Sequence, residues 1–162
     1  IVVGGGSLPP QLYDRPHEDE LQPNRDRMEE QVIHYCVAHG IPIIATCRGM
    51  QYINVMFGGK LWYHPKLPVN RTRGVDHQVW LVKEQRNIWV NNYHSDCIYE
   101  EGLASCFEPL AIDRENHVVE AYGSDEMKIL ALQWHPERRF ETANAYEETR
   151  KIILDFIQKY VK

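Results

Sequence analysis

Ile41-Pro42-Ile43-Ile44-Ala45-Thr46-Cys47-Arg48-Gly49-Met50-Gln51 is the stretch that decides the fold. The apolar run over residues 41–46 reads as a strand. It leads straight into a cysteine, and a helix-like pattern over residues 49–57 follows. A strand-to-helix turn of this kind pushes one side chain out above a sheet, as a nucleophile elbow does. A cysteine at a helix N-terminus also meets partial positive charge, which favours thiolate over thiol. Cys47 is therefore a candidate nucleophile.

Working outward, residues 1–3 read as a buried strand running into the glycine loop Gly4-Gly5-Gly6. Residues 7–23 are rich in Pro and charge and read as loop. Asn24 is placed to cap a helix reaching about His39, with Met28, Val32 and Cys36 as its apolar stripe. Gly40 and Pro42 stop that helix. Gly58 and Gly59 close the helix that follows the cysteine. This strand-helix alternation implies an α/β fold with a mostly parallel central sheet and helices on both faces. Residues 62–75 read as a long loop. Residues 77–82, 87–91, 108–112, 117–122 and 129–134 are strand candidates. A helix from about Ala143 ends the chain, with Tyr146, Ile153, Phe156, Ile157 and Tyr160 on one face.

The chain has 162 residues, enough for one domain with its own core. It carries no internal repeat or sign of a second domain. It starts on a strand without methionine, so an upstream strand and helix are expected to be missing. Its net charge of -5 argues against nucleic-acid binding. No apolar stretch is long enough to span a bilayer, and no signal-like start is present. The four cysteines, Cys36, Cys47, Cys97 and Cys106, form no C-x-x-C pair. This is intracellular usage, and a cytoplasmic protein is expected. Asn70-Arg71-Thr72 then reads as a chance glycosylation sequon.

A cysteine nucleophile needs a base, and the base needs an orienting group. His135 and Glu137 supply both just after a strand. Residues two apart on an extended segment point the same way, so Glu137 would hold His135 in one tautomer. Read alone, the two are equally a surface pair in a loop. Gly4-Gly5-Gly6 is open to a strand-end turn or a phosphate loop, although no G-x-G-x-x-G or Walker pattern follows. His94 and Cys97 together offer only two potential metal ligands, an incomplete site.

Cys47-Arg48-Gly49-x-Gln51, with Gln133-Trp134-His135-Pro136-Glu137 downstream, resembles the class I glutamine amidotransferase superfamily, whose fold is flavodoxin-like. Arg48, Asn54-Val55 and Gly58-Gly59-Lys60-Leu61 look more like its γ-glutamyl hydrolase branch, the peptidase C26-like group. Gly4 to Gly6 with Pro9 and Tyr13, and His77-x-Val79, match that group too. The resemblance implies a catalytic triad of Cys47, His135 and Glu137 acting through a γ-glutamyl thioester. It implies oxyanion donors at the Arg48 N–H and at Gly5 or Gly6. Gln51 and Asn92, Tyr93, His94 and Ser95 would face the glutamyl group. Neither metal nor organic cofactor is implied. Two departures stand out. Asp96 replaces the glutamine expected two residues after the histidine, and Tyr93-His94-Ser95 is nearer to glutaminase subunits.

Two enzymatic expectations follow. One is a hydrolase releasing glutamate from a small-molecule γ-glutamyl amide. The other is a glutaminase delivering ammonia to a partner synthetase. A catalytically silent binding module is the third reading, against which the intact triad argues. Lys66, Arg71 and Arg73 would either meet an anionic leaving group or be solvated. Cys36, Cys97, Cys106 and the tryptophans read as packing residues, and His17, His34, His39, His64 and His117 have no motif context.

Overall fold

The computed structural model describes residues 4–6, 8–9, 12–13, 22–63 and 73–161. The strand expected at residues 1–3, His17, His64, Lys66 and the Asn70-Arg71-Thr72 sequon lie outside them. Elements run α1 (Pro23–Ala38), β1 (Ile43–Thr46), α2 (Arg48–Met56), β2 (His77–Leu81), β3 (Arg86–Val90), β4 (Glu108–Asp113), β5 (Val118–Ser124), β6 (Ile129–Leu132) and α3 (Ala145–Tyr160). Pro23 opens α1 behind Gln22, so Asn24 lies inside the helix rather than capping it. Proline suits that first turn because its missing N–H has no helical partner there.

The six strands form one sheet in the order β1-β6-β5-β4-β2-β3. The expected mostly parallel sheet is corrected: among the described strands only β1 and β6 pair in parallel. The reason is in the connections. Residues 82–85, 114–117 and 125–128 are short turns, and a chain cannot cross over to a parallel neighbour in so few residues. Each of these turns ends on a residue with positive φ: Gln85, His117 and Lys128. None is glycine, so the usual hairpin signal is missing from the sequence.

Two cores sandwich the sheet. Ile43, Ala45, Ile129 and Ala131 face Ile33 of α1 and Met50 and Ile53 of α2. Leu130, Leu132, Val79 and Ile88 face the other way, against Ile152, Ile153 and Phe156 of α3. The alternation along β6 is what divides the layers. Helices on both faces are thus observed. Of the expected apolar stripe of α1, only Cys36 packs against the core. Met28 and Val32 are 58 % and 48 % exposed, and the buried face carries Asp26, Glu29 and Ile33. On α3, Tyr146 is exposed and Ala145 and Thr149 are buried instead.

After α2, the Asn54 amide donates to the carbonyls of Lys60 and Gly102 and accepts from the Ala104 N–H. A Cβ at Gly59 would collide with the Asn54 side chain. The Asn-Gly-Gly pattern therefore closes the loop behind the helix rather than touching the elbow.

Candidate active site

Parallel pairing in register builds the site. Ala45 lies opposite Ala131 and Thr46 opposite Leu132. The two strands therefore end together, and Cys47 donates its N–H to the Leu132 carbonyl at 2.7 Å. The motifs at 47 and 135 are carried to one sheet edge, the carboxyl end of adjacent parallel strands, where α/β sheets open their ligand crevices.

Cys47 has φ 49° and ψ -108° immediately before α2. A positive φ at a non-glycine residue is backbone strain, as expected of an elbow. Gly4 lies against it. A Cβ at Gly4 would stand 3.0 Å from Cys47 Cβ, 2.6 Å from His135 Cε1 and 3.3 Å from His135 Nε2. Nucleophile, base and glycine loop therefore converge on one point. The loop as a whole was expected to approach closely, with the oxyanion donor at Gly5 or Gly6; the residue that makes the close approach is Gly4. At Gly5 an added Cβ would meet nothing within 4 Å. Gly5 and Gly6 instead adopt positive φ, 98° and 75°, which turns the loop.

His135 Nδ1 lies 2.6 Å from Glu137 Oε1. A carboxylate only accepts, so Nδ1 carries the proton and Nε2 is left free to accept one. The pair meets across a turn rather than along an extended segment. The Arg138 N–H donates to the His135 carbonyl at 3.1 Å, with Pro136 at the corner where its fixed φ suits a turn. The His135 main chain is held by Asn91, also missed from sequence. Asn91 Nδ2 donates to the His135 carbonyl at 2.8 Å, and its Oδ1 accepts the His135 N–H at 2.9 Å.

Electrostatics correct the thiolate expectation. Burial raises the Cys47 thiol to about 11, although the Arg48 N–H and the Arg138 charge pull it down. Desolvation outweighs the helix terminus, so the resting group is a thiol. Burial also lowers His135 below its ordinary range, against the opposing pull of Glu137. The imidazole is neutral near pH 7 and free to accept a proton. Burial pushes Glu137 up, but its bonds to His135 and to its own backbone N–H, with the Arg138 charge, bring the carboxyl below its usual value.

The remaining predicted residues divide. The Arg48 side chain is only 1 % exposed and turns away from the thiol, to Glu29 and Asp26 of α1. Gln51 Nε2 donates to the Asp96 carbonyl at 3.0 Å and to Gln133 Oε1 at 3.2 Å, tying α2 to the loop after β3. In that loop, Tyr93 packs edge-on to His135 with ring centroids 5.7 Å apart. The Arg138 guanidinium lies over the Tyr93 ring at 4.5 Å. Asn92 is fully buried, and its amide atoms have no partner among the described residues. His94 Nδ1 is 3.0 Å from the Asp96 carbonyl, and Ser95 is exposed. Behind them Glu120, fully buried, stands 3.5 Å from both His77 Nε2 and His94 Nε2. Among the described residues no cluster of three His, Cys, Asp or Glu side chains is disposed to hold a metal, and the Cys97 main chain pairs with that of Trp62. No helix among them is long and apolar enough to cross a membrane.

Known proteins resemble this chain. The chain is 30 % identical over 161 residues to a putative glutamine amidotransferase-like protein, YvdE, of Lactococcus lactis, covering 88 % of this chain and 66 % of that one. It is 28 % identical over 157 residues to the γ-glutamyl-γ-aminobutyrate hydrolase PuuD of Escherichia coli, covering 81 % and 60 %. It thus spans about two thirds of the length of these relatives or less. The crystal structure of a glutamine amidotransferase from Thermotoga maritima superposes with TM-score 0.59 at 18 % identity, over 91 % of this chain and 61 % of that one. That likeness fixes the fold as class I glutamine amidotransferase-like. With a sequence model of the peptidase C26 family matching residues 1–137, elbow and His-Pro-Glu turn included, this chain belongs to that family.

Proposed function

We propose that the protein hydrolyses a γ-glutamyl amide, or a related γ-glutamyl N-linked compound, to glutamate and a free amine through a thioester on Cys47. The observation that carries this reading is the convergence of Cys47, His135 and Gly4 on one point. His135 Nε2 takes the Cys47 proton as sulfur attacks the γ-carbonyl carbon. The high thiol pKa favours transfer coupled to attack rather than a preformed ion pair. The Arg48 N–H and the glycine-loop N–H groups face the oxyanion. His135 then protonates the leaving nitrogen and the C–N bond breaks. Water, deprotonated by His135, attacks the thioester, releasing glutamate and restoring the thiol. The unpartnered Asn92 amide and the polar run Tyr93-His94-Ser95 are suited to the glutamyl α-amino and α-carboxylate groups. No step calls for a cofactor.

Incubating the purified chain with γ-glutamyl-γ-aminobutyrate, γ-glutamylputrescine and glutamine tests this, with glutamate release read by mass spectrometry. Cys47→Ala should release none. Glutamate from no member of the panel, with Cys47 still open to alkylation, sinks the reading. A second reading has specific support in Tyr93-His94-Ser95 and in relatives named as glutamine amidotransferases. This is a glutaminase passing ammonia to a synthetase partner. Glutamine turnover only upon addition of another protein would select it.

A further inference from the structure

Arg25 of α1 reaches across to the glycine loop. Its Nη1 donates to the Gly5 carbonyl at 2.9 Å and its Nη2 to the Gly4 carbonyl at 3.3 Å. Its Nε donates to Glu29 Oε1 at 2.6 Å. The other oxygen of Glu29 accepts from Arg48, whose second arm pairs with Asp26. Tyr52 adds a bond from its hydroxyl to the Asp26 carbonyl at 3.1 Å. One carboxylate therefore bridges two guanidinium groups. One guanidinium grips the loop, and the other belongs to the residue that follows the nucleophile.

The consequence lies in peptide geometry. The peptides are trans, so the C=O and N–H of one unit point in opposite directions. Drawing the Gly4 and Gly5 carbonyls toward α1 turns the N–H groups of Gly5 and Gly6 away from it. Gly4 itself lies against Cys47 and His135 on the sheet side. A loop of three glycines has no side chains to fix these orientations and a large conformational freedom to lose. A planar five-donor fork that binds two carbonyls and a carboxylate at once is the side chain able to fix them.

We infer that Arg25 is a positioning residue of the oxyanion hole, holding the Gly5 and Gly6 N–H groups in register with the Arg48 N–H through Glu29. The inference rests on the acyl-transfer reading above. It accounts for the charged face that α1 turns inward, where an apolar stripe would otherwise pack. It also gives the Arg48 side chain a task apart from the substrate.

The test compares Arg25→Gln, Arg25→Lys and Glu29→Gln with the unaltered chain, and uses Arg27→Gln, an exposed cation one turn-face away, as control. Hydrolysis of a γ-glutamyl anilide should show kcat down about 100-fold in Arg25→Gln with KM within about threefold. Arg25→Lys, which keeps charge but not the fork, should recover part of that loss. Alkylation of Cys47 by iodoacetamide should stay within about twofold, because substitution at a saturated carbon develops no oxyanion. Amide exchange across Gly4 to Gly6, read by mass spectrometry, should quicken about tenfold or more while α2 is unchanged. Unchanged kcat, KM rising with kcat kept, alkylation slowing in step with kcat, or unchanged exchange each overturn the inference. If the unaltered chain cleaves no γ-glutamyl compound, the functional reading fails by itself, and the exchange measurement still decides the role of Arg25.

Discussion

Asn91 bonds both main-chain polar groups of His135, donating to its carbonyl and accepting from its N–H. The imidazole is aimed from behind by its backbone as well as from the side by Glu137. Asn91→Ala leaves the buried His135 N–H unpaired, at about 1–3 kcal/mol, while the carbonyl keeps only the Arg138 N–H. The melting temperature should fall, and kcat should drop about tenfold or more as His135 loses register. An unchanged kcat would show that Glu137 and the turn suffice to aim the ring.

The pH profile follows from the burial of the catalytic pair. His135 must be neutral to accept a proton, and burial lowers its pKa below 6.5. Protonation in acid therefore removes the base only below that value, so kcat/KM should hold from neutral pH past the ordinary imidazole range and fall only beneath it. On the alkaline side the thiol, raised to about 11, should titrate far above neutrality, visible as late thiolate absorbance. A half-maximal point above pH 7, or thiolate formed near neutrality, would contradict this arrangement.

Arg138 stands over Tyr93 at the rim, and its charge lowers Cys47, His135 and Glu137 alike. Replacing it by Gln should move the acid limb of the pH profile and the thiol titration upward together. The guanidinium side chain is 40 % exposed, so water screens it and both shifts should be small. Shifts in opposite directions would mean that the ring stack, not the charge, is what Arg138 contributes.

Gly4→Ala and Gly5→Ala separate space from backbone freedom. The first places a methyl 2.6 Å from His135 Cε1 and should cost about 100-fold in kcat with little change in melting temperature. The second meets no neighbour but forces φ 98° on alanine, a strain of about 1–3 kcal/mol. It should loosen the loop and cost less activity. Equal losses would mean that no steric wall exists at Gly4.

The elbow and the His-Pro-Glu turn were legible because both are local: an apolar run, a cysteine, a glycine, and three residues in a row. The arrangement of the middle of the sheet was not, because its turns end on Gln85, His117 and Lys128 rather than on glycine. The inward face of α1 was misread for a different reason. Periodicity counts apolar residues, and Asp26 and Glu29 are buried as partners of Arg48, a tertiary pairing that no local pattern announces. Asn91 and Arg25 escaped likewise, since each acts on backbone far away in sequence. The thiolate expectation failed because helix position is visible in sequence whereas desolvation is not.

The in-register pairing of β1 with β6 has a consequence for how such a chain diversifies. The nucleophile and its base ride on neighbouring strands, so ladder hydrogen bonds, not the length of chain between them, set their separation. Apart from Asn91 and the run from Asn92 to Ser95 beside His135, the chain between α2 and β6 is, for the acyl step, a detour. Insertions, deletions and rewritten loops within that detour can reshape what leaves with the nitrogen while the sulfur and imidazole stay in place. A lineage built this way can change its customers without retooling its reaction.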